Sequence, residues 1–165
     1  VYAIEKDKNR YEYLKNNIDV YDYKNVYCIN DSSINFNNNC LIETNPNVIF
    51  IDPPWGGNIY KESQSLRLCL DNIPIEDLII DIFTKLYEFI IKKDVTILEI
   101  NNKKIYKQNI FHNKFIVLKL PKNYDIDFFY QKIKNSNIPK HTILSYIYIL
   151  NKMLIVVCEF FCIGD

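Results

Sequence analysis

An aspartate, two prolines, a tryptophan and two glycines stand together at Asp52-Pro53-Pro54-Trp55-Gly56-Gly57, directly after the apolar run Asn47-Val48-Ile49-Phe50-Ile51. The run reads as a buried strand of a parallel sheet. An acid, a donor-free turn and an aromatic face at a strand end suit methylation of an exocyclic amino group on a nucleobase. Such a nitrogen is a poor nucleophile, because its lone pair is delocalised into the ring. It needs acceptors for its N–H groups and a surface that fixes the base plane. Asp52 supplies a carboxylate, Pro53 and Pro54 have no N–H and leave the turn presenting carbonyls, and Trp55 supplies the stacking face. The plain alternative is a Pro-Pro that only ends a strand and a tryptophan that belongs to the core. The glycines weigh against it. The chain has three glycines, and two of them, Gly56 and Gly57, follow the tryptophan. Backbone freedom or close approach of a ligand is the physical reason for such placement.

The elements that position this motif alternate in type. Val1-Tyr2-Ala3-Ile4 reads as a strand ending at Glu5, and Asp7 caps a helix carrying Tyr11, Leu14 and Ile18 to about Val20. Val26-Tyr27-Cys28-Ile29 reads as a second strand ending at Asn30-Asp31, followed by a polar, Asn-rich loop from Ser32 to Asn45. The strand before Asp52 completes β-α-β-loop-β, the rhythm of a doubly wound α/β sheet. A polar loop from Asn58 to Ser65 precedes a helix that Pro74 opens, with Leu78, Ile79, Ile82, Leu86, Phe89 and Ile90 on its apolar face. Val95 to Ile100 reads as a strand, 101–113 as polar chain with scattered Ile, Tyr and Phe, and Lys114 to Leu120 as a strand closed by Pro121. Of the two strands, 114–120 is expected at the sheet's centre. Asp125 starts a helix with Ile126, Phe129 and Ile133. Thr142 to Leu150 and Met153 to Ile163 read as a hairpin around Asn151-Lys152.

At 165 residues the chain is expected to be one domain with a real core. Hydrophobic residues make up 48% and mean hydropathy is −0.14, which marks a globular chain. Net charge is +0 and pI about 6.9, so no global basic field draws in long nucleic acid. A small substrate or an RNA end fits neutrality better than a duplex. Cys28, Cys40, Cys69, Cys158 and Cys162 are odd in number and lack C-x-x-C spacing, which argues for buried thiols in a reducing compartment and against zinc. No apolar stretch is long enough to span a bilayer, and the expected setting is intracellular, in nucleus or cytoplasm.

In order along the chain, Ala3-Ile4-Glu5-Lys6-Asp7 with Asn16-Asn17-Ile18-Asp19-Val20-Tyr21, Asn30-Asp31-Ser32, Pro53-Pro54-Trp55-Gly56-Gly57, Leu120-Pro121-Lys122-Asn123 with Asp125-Ile126-Asp127, and Leu150-Asn151-Lys152 resemble the motifs of the trimethylguanosine synthases. These are S-adenosylmethionine-dependent enzymes that convert a 7-methylguanosine RNA cap to the 2,2,7-trimethylated form. The resemblance implies a Rossmann-like methyltransferase sheet with a C-terminal antiparallel hairpin, in a chain expected to act as a monomer on capped RNA, without metal or membrane. It assigns Glu5 to the cofactor's ribose hydroxyls, a device shared with dinucleotide sites, and Asp31 to the adenine amino group. Asp52 would sit beside the cofactor and accept from the guanine amino group. Pro53 shapes that turn. Trp55 would stack on 7-methylguanine, whose positive charge adds a cation–π gain of about 1–2 kcal/mol. Gly56 lies against the base, Lys122 meets the cap phosphates and Asn123 supports that loop. Lys61 and Arg67 are weaker phosphate candidates, each more readily read as a solvated side chain.

Two departures accompany the resemblance. The family has a strand and a glycine-rich loop ahead of its acidic strand end, where this chain begins at Val1; weak or no donor binding and doubtful activity are the corresponding expectations. Asp52 stands where cellular members usually have serine. Asp-Pro-Pro-aromatic is the commoner form in other amino-methyltransferases, acting on adenine N6 or on guanine N2 of ribosomal RNA, and these are the alternative reading. A non-catalytic cap- or nucleotide-binding remnant is the third.

Overall fold

The computed structural model describes residues 1–93, 96–100, 103–107, 113–138 and 143–160. They fall into two compact units, Val1–Thr44 and Asn45–Asp165.

In the first unit, strand β1 (Tyr2–Ile4) leads into helix α1 (Lys8–Val20) and then strand β2 (Tyr27–Ile29). Asp7 caps α1 by accepting from the Arg10 N–H at 2.9 Å, as its sequence predicts. β1 and β2 pair in parallel, Tyr2 beside Tyr27 and Ile4 beside Ile29, with the two tyrosine rings stacked 5.3 Å apart. The parallel direction brings the ends of both strands, Glu5 and Asn30-Asp31, to the same edge. The stretch from Ser32 to Asn45 is not the expected loop. It forms helices α2 (Ser33–Asn39) and α3 (Leu41–Thr44). Ser32 caps α2, its hydroxyl accepting from the Ile34 N–H at 3.1 Å. That cap, and not the weak helix propensity of asparagine, is the local signal for the helix.

The second unit is built on a four-stranded sheet. Its elements in chain order are β3 (Val48–Ile51), a 3-10 turn (Gly57–Lys61), the two-residue strands β4 (Cys69–Leu70) and β5 (Ile73–Pro74), α4 (Ile75–Lys93), β6 (Thr96–Ile100), β7 (Lys103–Lys107), β8 (Lys114–Pro121), α5 (Ile126–Lys134), β9 (Ile143–Ile149) and β10 (Met153–Phe160). The sheet order is β3-β8-β10-β9, with β3 parallel to β8 and the other pairs antiparallel. This is a mixed α/β architecture. β8 lies inside the sheet, as expected for 114–120, and Asn151-Lys152 turns the β9–β10 hairpin. Three readings are corrected. β3 is parallel as expected but not buried: it pairs only with β8 among the described residues, and Val48 and Phe50 are exposed while Ile51 is buried. Among the described residues, 96–100 does not pair with the four-stranded sheet. β6 pairs antiparallel with β7, a strand within the stretch read as polar chain. β4 and β5 form a small hairpin whose Asp71 and Asn72 both have positive φ, 48° and 67°, the conformation a tight two-residue hairpin demands. Val95, Thr142, Cys162 and Ile163 lie outside the described residues.

The core of this unit follows from periodicity. Ile75, Leu78, Ile79, Ile82, Phe83 and Leu86 are all buried along α4, at the spacing of one helical face. Alternate residues of β8 (Ile116, Leu118, Leu120) and β10 (Leu154, Val156, Cys158, Phe160) are buried as well. Phe83 stacks on Phe160 at 5.5 Å, which joins helix to sheet. The alternation leaves Lys119 off the core face of β8, one residue beyond Leu118, whose neighbour in β3 is Ile51. That register sets Lys119 beside Asp52.

Candidate functional site

Asp52 leaves the end of β3 with its side chain partly exposed, and Lys119 reaches it from β8: Nζ lies 2.6 Å from Asp52 Oδ2. The same ammonium lies 5.6 Å from the centroid of the Trp55 ring. The edge of Tyr60, from the 3-10 turn, meets Trp55 at 79° with centroids 5.3 Å apart. Pro53 is buried and Pro54 is exposed. The Trp55 indole N–H is buried and has no acceptor among the described residues, a donor that a bound ligand can satisfy. Gly56 and Gly57 have φ of 86° and 66°, and a Cβ added at either meets nothing within 4 Å. Backbone conformation, and not a crowded approach, explains both glycines here.

Beyond Tyr60 opens a cavity of about 490 Å³ lined by Tyr60, Lys61, Ser63, Gln64, Lys122, Asn123 and Lys152. Asn123 builds its floor. Its amide donates to the carbonyls of Tyr60 and Ser63, each at 2.6 Å, and its own carbonyl accepts from the Leu66 N–H at 2.9 Å. Asp125 continues the contact, accepting from the Ser65 hydroxyl at 3.0 Å while capping α5 through the Phe128 N–H at 3.0 Å. Among the described residues the lining thus carries three ammonium groups and no carboxylate, a composition suited to phosphates.

Behind it, Glu76 is fully buried at the first turn of α4. Its Oε1 accepts from the Tyr124 hydroxyl at 2.9 Å and lies 3.4 Å from Arg67 Nε. Burial, then the adjacent carboxylate, pushes the Tyr124 hydroxyl far above the ordinary tyrosine range. The Arg67 guanidinium lies 3.8 Å over the Phe128 ring. Arg67 is therefore engaged by Glu76 and Phe128 and is not among the residues that line the cavity.

Glu5 and Asp31 belong to the first unit. Glu5 Oε1 accepts from the Asp7 N–H at 2.8 Å, and the Asn30 amide donates to the Glu5 carbonyl at 2.9 Å. Asp31 Oδ1 accepts from the Ser32 N–H at 2.7 Å and the Asn35 amide at 2.9 Å. Asp52, Pro53, Trp55, Gly56, Lys122 and Asn123 are all in the second unit. Lys119, Tyr60 and Lys152 were not anticipated. The alternation of β8 and its parallel pairing with β3 are the signals that place Lys119. No group of three or more His, Cys, Asp or Glu among the described residues could hold a metal ion, and no helix among them is long and apolar enough to cross a membrane.

Comparison with known proteins bears on this arrangement. A protein of Acanthamoeba polyphaga mimivirus with no assigned function is 38% identical over 146 residues, which cover 87% of this chain and 46% of that protein. The chain thus spans about half the length of this curated relative. A solved structure of yhhF from Escherichia coli, a protein assigned as a methyltransferase, superposes with a TM-score of 0.46 at 11% identity over 96% of this chain and 63% of that one; likeness at that level fixes neither fold nor chemistry. The model of the RNA cap guanine-N2 methyltransferase family matches residues 1–162, from β1 through the hairpin that closes the sheet. The chain belongs to the RNA cap guanine-N2 methyltransferase family.

Proposed function

We propose that the chain forms a single methyltransferase domain of Rossmann-like design that methylates guanine N2 in a 7-methylguanosine RNA cap. One observation supports the cap above all: an aromatic platform flanked by a carboxylate adjoins a cavity bearing three lysines. A cationic base followed by a phosphate chain has that order of chemistry. Trp55 takes the base, and its indole N–H, without an acceptor among the described residues, offers one further bond. Gly56 and Gly57 turn the chain away from the ring. Lys122, with Lys61 and Lys152, meets the phosphates, and Asn123 holds the turn that carries Tyr60.

S-adenosylmethionine is the methyl donor proposed, and bound it supplies an electrophilic methyl group. Glu5 and Asp31 suit it: both are carboxylates at the ends of adjacent parallel strands, one for a ribose diol and one for an adenine amino group. Each already spends one oxygen on a local N–H, and the second oxygen is the one assigned to the ligand. Asp52 accepts an N–H of the guanine amino group and orients its lone pair. The proton leaves late, to Asp52 or to water, so alignment contributes more than basicity.

The test is methyl transfer from labelled donor to 7-methylguanosine-capped RNA, followed by digestion and identification of the modified nucleoside. Label on guanine N2 of the cap is expected. Label on adenine N6 or on internal guanine would support the Asp-Pro-Pro reading instead.

A further inference from the structure

We propose that Lys119 masks the base platform and must leave before a base can stack there. This rests on the assignment of Trp55 as that platform. The Lys119 ammonium sits 2.6 Å from Asp52 and 5.6 Å from the Trp55 ring centroid. It therefore holds together the two interactions that a cationic base with an amino group offers: charge against the indole face, and N–H donors to the carboxylate. The chain carries its own stand-in for the ligand.

The register fixes this arrangement. Lys119 projects from the strand beside Asp52, so the pair forms without any loop having to close. Its stem stays half-buried and its head can swing to water, as lysine stems allow. The aspartate itself gains a rationale. An uncovered carboxylate next to an aromatic face would attract stray cations. Paired with Lys119 it is neutral until a better cation arrives.

Masking is a cost common to every base that binds, so its removal tightens all of them alike. The experiment compares the wild-type chain with Lys119→Ala and Lys119→Arg, reading Trp55 emission. Trp55 is the only tryptophan, so acrylamide quenching reports its exposure directly. Lys119→Ala is expected to raise the quenching constant and to tighten 7-methyl-GTP and GTP by similar factors, about 5- to 30-fold given the strength of exposed ion pairs and cation–π contacts. Lys119→Arg, which keeps both contacts, is expected to stay at wild-type values. Weaker nucleotide binding in Lys119→Ala, or unchanged quenching, overturns the mask and makes Lys119 a ligand contact or a structural residue. If quenching rises in Lys119→Ala while neither chain binds either nucleotide, the mask stands and the cap assignment falls.

Discussion

The role proposed for Asp52 rests on what surrounds it. Its ion pair with Lys119 is formed between side chains 40% and 33% exposed, so its contribution to stability is small, of order 1 kcal/mol or less. Asp52→Asn should therefore leave the unfolding midpoint nearly unchanged while slowing methyl transfer about 100-fold through misaligned amino hydrogens. Equal losses of stability and activity would show Asp52 to be structural. Trp55→Ala should weaken 7-methyl-GTP binding by the equivalent of about 1–3 kcal/mol, the usual worth of one base–aromatic stack. Trp55→Phe should recover part of it, and isothermal titration separates the two. At this scale the motif was legible because its residue types are rare together. The Lys119 partnership was not, since it depends on the pairing of two strands separated by more than sixty residues. Glu76 was illegible for a related reason. An acid in the first turn of a helix ordinarily faces water, and only the fold buries it against Tyr124.

The elements explain why the cavity has a shape at all. The turn after Trp55 has no strand to hold it, and Asn123 supplies the attachment through the Tyr60 and Ser63 carbonyls. Asn123→Ala should cost roughly 1–3 kcal/mol in chemical denaturation, since it strips two part-buried carbonyls of their donor. It should also broaden Trp55 emission as Tyr60 loosens. Gly56→Ala should cost about 1–2 kcal/mol from its positive φ alone, because the space around it is open. Strands with continuous or alternating apolar patterns, such as β8 and β10, could be read directly. The short helices α2 and α3 could not, because asparagine favours turns and only the Ser32 cap points the other way. The β6–β7 pairing sits in a stretch whose mixed polar and apolar residues show no clean alternation, so its second strand left no pattern to read.

At the scale of the whole molecule, the sheet and its buried helix should set the response to pH. Cys158 lies in the core of the second unit, and burial pushes its thiol from 9.0 up to about 11. The unfolded thiol ionises first, so stability is unaffected below about pH 9. It then falls as pH rises from the unfolded value toward 11, by up to about 3 kcal/mol for this group. Urea midpoints at pH 8, 9.5 and 10.5 should decline in the wild type and less steeply in Cys158→Ala. The exposed Cys69 should react with a thiol reagent in the native state while Cys158 stays protected. The family match runs through both units, whereas the residues proposed for base recognition, Asp52, Trp55 and Gly56, all lie in the second. The most direct test of that claim is a titration of Trp55 emission with 7-methyl-GTP, GTP and ATP. Stronger quenching and tighter binding by 7-methyl-GTP than by GTP or ATP is the predicted result. Equal responses to all three, or none, would contradict a cap-base platform at Trp55.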